Sequence, residues 1–306
     1  MSVAILTAAD GSTRFVLKVA RSEEAAAELR HQRTVLDTLR ADPALRGLRD
    51  MLPEVLRLER SRDGAPVVGV ETLLPGTTLE ALLSTGPEPP TRLLTPTIET
   101  IRTLHERSGR VETIRTAHLR DWVDAPLGRL RGTCRTLAPA SVDAVDQLGR
   151  QLHDALTGRR VLVSWTHGDF TPGNVLLDEG SHHVTGIVDW AGGRPRQLAP
   201  TDEHTMLLAA EALRRRRSIG AVVTEQLGGL APGDGLLSLQ DDPRSRPARA
   251  QGLDVRTLTL LSWLRHVEEM QRKSVRYRAH RVWWALNVEP VLWAVSVGPR
   301  PRHAAG

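Results

Sequence analysis

Residues 165–190 read WTHGDFTPGNVLLDEGSHHVTGIVDW, and this stretch decides how the rest of the chain is understood. Two short apolar runs, 175–177 and 184–188, flank the turn-forming residues 178–181, a pattern that predicts an antiparallel hairpin. Ahead of it, the Pro172-Gly173 pair breaks regular structure and turns the chain back, so that Asp169 and Asn174 face one cavity. The hairpin then returns Asp189 beside Asn174. A hydroxyl attacking a nucleotide γ-phosphate needs a carboxylate to orient it and accept its proton, and the magnesium ions bridging the phosphates need hard oxygen ligands. Asp169 suits the first task, and Asn174 with Asp189 suits the second. The bland reading makes His-Gly-Asp an ordinary turn and Asp189 a strand-end cap. It requires several spacings to agree by accident.

The run His167-Gly168-Asp169 with Asn174, followed by Asp189-Trp190, resembles the catalytic signature of the aminoglycoside phosphotransferase and choline kinase family. These are small-molecule kinases that share the eukaryotic protein-kinase fold, whose own catalytic loop has a related H-R-D-x-x-x-x-N spacing. The resemblance implies an α+β, protein-kinase-like two-lobed fold. A small antiparallel-sheet N-lobe would span residues 1–75 and a mostly helical C-lobe residues 76–306, together one catalytic domain. It also implies Asp169 as catalytic base, His167 as support for the catalytic loop, and Asn174 and Asp189 as ligands of Mg2+. The donor would be ATP or GTP, and the acceptor a hydroxyl of a small molecule such as a sugar, antibiotic or metabolite.

A second feature lies far away in sequence. Of the 41 basic residues only Lys18 and Lys273 are lysines; all others are arginine. Lys18 sits in the strand-like run RFVLKVA, residues 14–20, after the turn residues 10–12. A lysine retained in so arginine-rich a chain suits a site that needs a compact ammonium, as when one side chain must reach the α- and β-phosphates of a nucleotide. The alternative is a strand-edge lysine that shields the sheet.

Residues 22–39 begin with a capping serine followed by acids, and Ala25, Leu29, Leu36 and Leu39 fall near helical spacing. By the resemblance, a glutamate paired with the lysine belongs three residues after Leu29, where Gln32 stands. Glu28, one turn earlier on a similar face, is the substitute acid. Glu28 and Gln32 both remain candidates. Residues 52–58 and 66–74 read as strands around a turn at 61–64. The second resembles the family's inter-lobe hinge at Glu71, Thr72 and Leu73, where backbone groups would meet the adenine edge. Only residues 3–8 precede the turn at 10–12, with no glycine before Gly11. The N-lobe is therefore expected to lack the first strand and the Gly-rich phosphate loop. That shortfall, with Gln32 in place of the glutamate, supports a rival function: a catalytically weak or inactive kinase-like protein that binds nucleotide or a partner as a regulatory module.

From residue 77 onward helices dominate, at 78–83, 93–105, 141–156, 206–214 and 253–279, with an apolar tail at 282–297. Asp202 reads as a helix cap and, by the resemblance, as a support for the catalytic loop, and both can hold. The block Arg214–Arg217 reads as a solvated helix end or an anion site. Residues 228–252, rich in Gly, Pro, Asp and Arg, read as a loop.

A length of 306 residues with 40% hydrophobic content allows one sizeable two-lobed core. The single cysteine, Cys134, excludes an intramolecular disulfide and a thiolate metal site. The first residues carry neither a basic start nor a sufficient apolar run, so a cytoplasmic protein is expected. The tail is too interrupted to span a bilayer. A formal charge of +5 raises nucleic-acid binding, but the arginines are scattered among acids and aromatics are only 3%, which argues against it. Few acids cluster after Asp202, so polycationic aminoglycosides are not the default acceptor; neutral or anionic metabolites, sugars and macrolides stand equally open.

Overall fold

The computed structural model describes residues 1–7, 14–59, 67–86, 88–228, 236, 253–273 and 280–297. The expected turns at 10–12 and 61–64 and most of the expected loop at 228–252 lie outside the described residues. The chain divides into two compact units, residues 1–109 with 165–196, and residues 110–164 with 197–306.

The first unit opens on an antiparallel sheet of four strands among the described residues. Its strands are β1 (Ser2–Thr7), β2 (Arg14–Ala20), β3 (Val55–Glu59) and β4 (Val67–Thr72), in spatial order β1-β2-β4-β3. β4 is central, pairing β2 on one side and β3 on the other. The β2–β4 register sets Lys18 opposite Gly69 and Val16 opposite Glu71. Between β2 and β3 lies helix α1 (Glu23–Ala41). Ser22 caps it, its side chain accepting from the Ala25 N–H at 3.3 Å, with Glu23 and Glu24 in the first turn where the helix dipole favours acids. Ala25, Ala26, Leu29, Val35, Leu36 and Leu39 form the buried face of this helix, and Gln32 sits among them.

After β4, the short strand β5 (Thr77–Thr78) leads into α2 (Leu79–Thr85), capped by the Thr78 hydroxyl, and α3 (Pro90–Ser108). α3 runs further than its expected span at both ends, with Pro90 in the first turn, where proline needs no helical N–H partner. The expected hairpin is present as β8 (Val175–Leu177) and β9 (Val184–Ile187), joined by β5 into a sheet of order β5-β8-β9. Val175 pairs Ile187, and the Val188 N–H donates to the Asn174 carbonyl at 2.9 Å.

The second unit is mainly helical. It contains β6 (Arg110–Thr113), α4 (Thr116–Leu119), α5 (Ala125–Leu137) and α6 (Val142–Leu156). The strand β7 (Arg160–Thr166) begins in this unit and ends in the first, and β10 (Arg194–Leu198) begins in the first and ends in this one; α7 (Pro200–Arg214), α8 (Ile219–Leu227), α9 (Val255–Lys273), α10 (Arg281–Asn287) and α11 (Glu289–Val297) follow. Its core includes Leu148, Leu152, Trp263, Leu264, Trp284, Val291 and Leu292. The apolar tail packs only in part: Trp284, Val288, Val291 and Val295 are buried, whereas Leu286 and Trp293 face solvent. Among the described residues no helix is long and apolar enough to cross a membrane.

One expectation needs correction here. Asp202 does not cap its helix: α7 starts earlier, Ala199 occupies the cap, and Asp202 is a buried first-turn residue. The arginine block agrees with the solvated helix end: Arg214, Arg216 and Arg217 are exposed, and three of its members are paired with acids. Arg214 meets Glu211 at 2.8 Å, Arg215 meets Glu225 at 2.7 Å, and Arg217 meets Glu225 at 2.9 Å.

Candidate active site

Gly168 takes a left-handed conformation, φ +84°, that bends the chain sharply between the end of β7 and Asp169. His167 is fully buried, and its ring packs against Trp190 and Phe170 with centroids 4.6 and 5.9 Å away. Its Nε2 lies 2.8 Å from the Val188 carbonyl, and its Nδ1 accepts the Asp169 N–H at 3.3 Å. That pairing puts the ring proton on Nε2 and commits both nitrogens to backbone groups. One imidazole thus ties the start of the Asp169–Asn174 loop to the residue before Asp189.

Asp169 is 7% exposed. The Asn174 amide nitrogen donates to the Asp169 carbonyl at 2.8 Å and reaches its Oδ2 at 3.4 Å. With the amide N–H groups turned to Asp169, Asn174 Oδ1 is the oxygen left to face a cation. The short helical turn Pro172–Asn174 closes this loop. Asp189 follows β9 with φ +64° and ψ +58°, the left-handed region that aspartate tolerates better than most residues. Asp169, Asn174 and Asp189 are thus drawn to one end of the β8–β9 hairpin, as the spacing predicts. Among the described residues no three His, Cys, Asp or Glu side chains gather into a metal cage. One amide oxygen and one carboxylate are a donor set that fits Mg2+, which keeps several waters and shares substrate phosphates.

Lys18 is buried, and its Nζ lies 3.0 Å from Glu71 Oε2, with side chains 8% and 6% exposed. This corrects the expected pairing with Glu28 on α1. Lys18 and Glu71 lie on the same face of adjacent antiparallel strands, two positions apart along the ladder, which is a diagonal that long side chains bridge. Gln32, the other candidate, reaches the same carboxylate: its Nε2 donates to Glu71 Oε1 at 2.7 Å. Burial pushes the Glu71 carboxyl above its ordinary value, the Lys18 charge pulls it back, and the field of Asp189 adds to the rise. The pair and Asp189 therefore share one electrostatic neighbourhood.

The hinge expectation also changes. Glu71 and Thr72 belong to the ladder of the central strand, and the Thr72 N–H donates to the Glu54 carbonyl at 3.0 Å. Their side chains are also engaged, Glu71 with Lys18 and the Thr72 hydroxyl accepting from the Glu54 N–H at 2.9 Å. Leu73 is the first of the three beyond the strand. Glu71 was visible as an acid in the apolar run VVGVET, but its partner depends on a register across an intervening helix that spacing does not reveal. His31, on α1 beside Gln32, was not singled out in the sequence; its Nε2 lies 2.8 Å from the Gly193 carbonyl, just after Asp189-Trp190.

A sequence model of the phosphotransferase enzyme family matches residues 2–195. The chain belongs to that family. No curated protein matches this family member in sequence. Among solved structures, it is similar to APH(2'')-IIIa in complex with GDP and kanamycin, at 16% identity over 97% of this chain and 94% of that one, TM-score 0.54. It is also similar to a putative aminoglycoside phosphotransferase from Ralstonia eutropha, at 12% identity over 98% and 94%, TM-score 0.53. A third is the aminoglycoside phosphotransferase APH(3'')-Id from Streptomyces rimosus, at 17% identity over 86% and 89%, TM-score 0.51. These likenesses establish the kinase-like α+β fold of this phosphotransferase-family chain.

Proposed function

We propose that this protein is an O-phosphotransferase that moves the γ-phosphoryl group of ATP or GTP to a hydroxyl of a small molecule. The observation that carries the reading is the convergence of Asp169, Asn174 and Asp189 at one end of the hairpin, within a phosphotransferase-family chain. Asp169 is the catalytic base: it orients the acceptor hydroxyl and takes its proton as the new P–O bond forms. Asn174 has a double part, holding Asp169 by its main-chain carbonyl at 2.8 Å, with Oδ2 at 3.4 Å, and offering Oδ1 to the metal. Asp189 supplies the second protein oxygen. When bound, Mg2+ supplies neutralisation of the charge that develops on the phosphate oxygens.

His167 serves as a positioning residue, since both ring nitrogens are occupied by backbone groups. Lys18 contacts the nucleotide phosphates, and Leu73, past the end of the ladder, is the hinge residue free of strand pairing. The rival reading, an inactive regulatory module, rested partly on the amide at position 32. Glu71 provides the acid that Gln32 lacks, which removes that support.

The test is transfer of radiolabelled γ-phosphate from ATP and from GTP across a panel of aminoglycosides, macrolides, sugars and hydroxylated metabolites, with products identified by mass spectrometry. A phosphomonoester product that requires magnesium and disappears in Asp169→Asn is expected. Magnesium-dependent nucleotide binding without transfer to any acceptor class favours the regulatory module instead.

A further inference from the structure

We propose that Gln32 is a positioning residue for the nucleotide-binding lysine and that it acts through Glu71, so that helix α1 governs the Lys18 ammonium by a two-bond relay. The inference rests on the reading of Lys18 as a phosphate contact. Each oxygen of the Glu71 carboxylate has its own partner, Oε2 the Lys18 ammonium at 3.0 Å and Oε1 the Gln32 amide at 2.7 Å. Neither oxygen can turn without breaking one bond, so the ammonium is fixed relative to α1 even though its counter-ion sits on β4.

Gln32 is 1% exposed, and among the described residues its Oε1 has no hydrogen-bond partner. A buried amide with an orphaned carbonyl is a poor device for holding a helix to a sheet, because the unsatisfied acceptor carries a desolvation penalty. An apolar residue of similar volume would suit that purpose better. The amide does something a leucine cannot: it donates to one carboxylate oxygen and leaves the other for the lysine. The adjacent His31 bonds the Gly193 carbonyl at 2.8 Å, so successive residues of α1 reach both the lysine pair and the turn after Asp189. Helix α1 therefore acts as a two-point staple across the nucleotide-gripping side of the first unit.

Titration with fluorescent methylanthraniloyl-ATP in magnesium, alongside urea unfolding, tests the relay. Gln32→Leu is expected to weaken nucleotide binding about tenfold while lowering the unfolding midpoint only slightly, because losing the donor to Glu71 Oε1 is offset in part by losing the orphaned Gln32 Oε1. Glu71→Gln is expected to weaken it at least as much, and adding Gln32→Leu to Glu71→Gln to cause no further loss, because the first residue acts through the second. Additive losses, a Gln32→Leu protein that binds as well as the wild type, or one that loses stability in step with affinity would overturn the relay. So would a loss in Glu28→Gln as large as that in Glu71→Gln. A wild type that binds neither the ATP nor the GTP analogue refutes the phosphotransferase reading itself, an outcome distinct from a wild type that binds and variants that bind equally well.

Discussion

Replacing Lys18 with methionine keeps the buried stem and removes the ammonium, leaving the Glu71 carboxylate facing only the Gln32 amide at 2.7 Å. Breaking a buried ion pair by deleting one partner typically costs ~3–5 kcal/mol. Here the cost has a ceiling, because Glu71 can escape by binding a proton. From an unfolded value of 4.5, protonating the group at pH 7 costs about 2.5 pH units, or ~3.4 kcal/mol. At pH 5 the same escape costs only about 0.7 kcal/mol. The variant folded state holds its proton more tightly than the unfolded chain, so stability is present at low pH and lost as pH rises above 4.5 towards the raised folded value. Urea unfolding followed by circular dichroism should therefore show Lys18→Met destabilised by ~3 kcal/mol at pH 7 and by under ~1 kcal/mol at pH 5. Adding Glu71→Gln should recover most of the loss at pH 7. A penalty equal at both pH values, or indifferent to Glu71→Gln, refutes the claim that these two side chains are each other's buried partners.

Gly76 has φ +108°, and a Cβ there would lie 2.4 Å from Thr185 Oγ1 and 2.7 Å from the Leu177 carbonyl. Gly76→Ala should cost ~2 kcal/mol or more, read as a lowered unfolding midpoint. Asp189→Asn keeps a residue tolerant of the left-handed region, so calorimetry should find its melting temperature near that of the wild type while magnesium-dependent nucleotide binding weakens; Asp189→Ala should lose both. Burial raises the Cys134 thiol to about 11 from 9.0. At pH 8 its folded thiolate fraction is then roughly a hundredth of the unfolded one, so Ellman's reagent should react at a normal rate only in denaturant. The same shift means that stability falls as pH rises from 9 towards 11, because the folded state keeps the proton longer.

What could be read in the sequence was whatever depends on local spacing. The hairpin 175–187, the Asp169–Asn174 loop and α1 follow from periodicity, turn residues and a capping serine, each a short-range signal. The Lys18 partner was not readable, because it depends on the pairing of β2 with β4 across α1 and β3. An acid on the helix and an acid on the strand are equally good candidates until the register is known. The division of residues 71–73 was hidden for a related reason. Residues 71–73 share one apolar run, and only the ladder shows that strand pairing already occupies Glu71 and Thr72. Burial likewise decides Asp202, and pairing with acids decides the arginine block: a charged helix terminus reads as solvated or binding from sequence alone, and the fold supplies Glu211 and Glu225 as partners.

The central claim is that Asp169 is the base of a phosphoryl-transfer site whose nucleotide grip is built separately, from Lys18, Glu71, Asn174 and Asp189. Nucleotide affinity and magnesium-dependent nucleotide consumption measured together on Asp169→Asn separate the two. The account predicts an analogue affinity within about twofold of the wild type and a turnover lower by roughly 10²–10⁴-fold, the range for loss of a positioned general base. Turnover that survives in Asp169→Asn, or is lost only in proportion to nucleotide affinity, would contradict it.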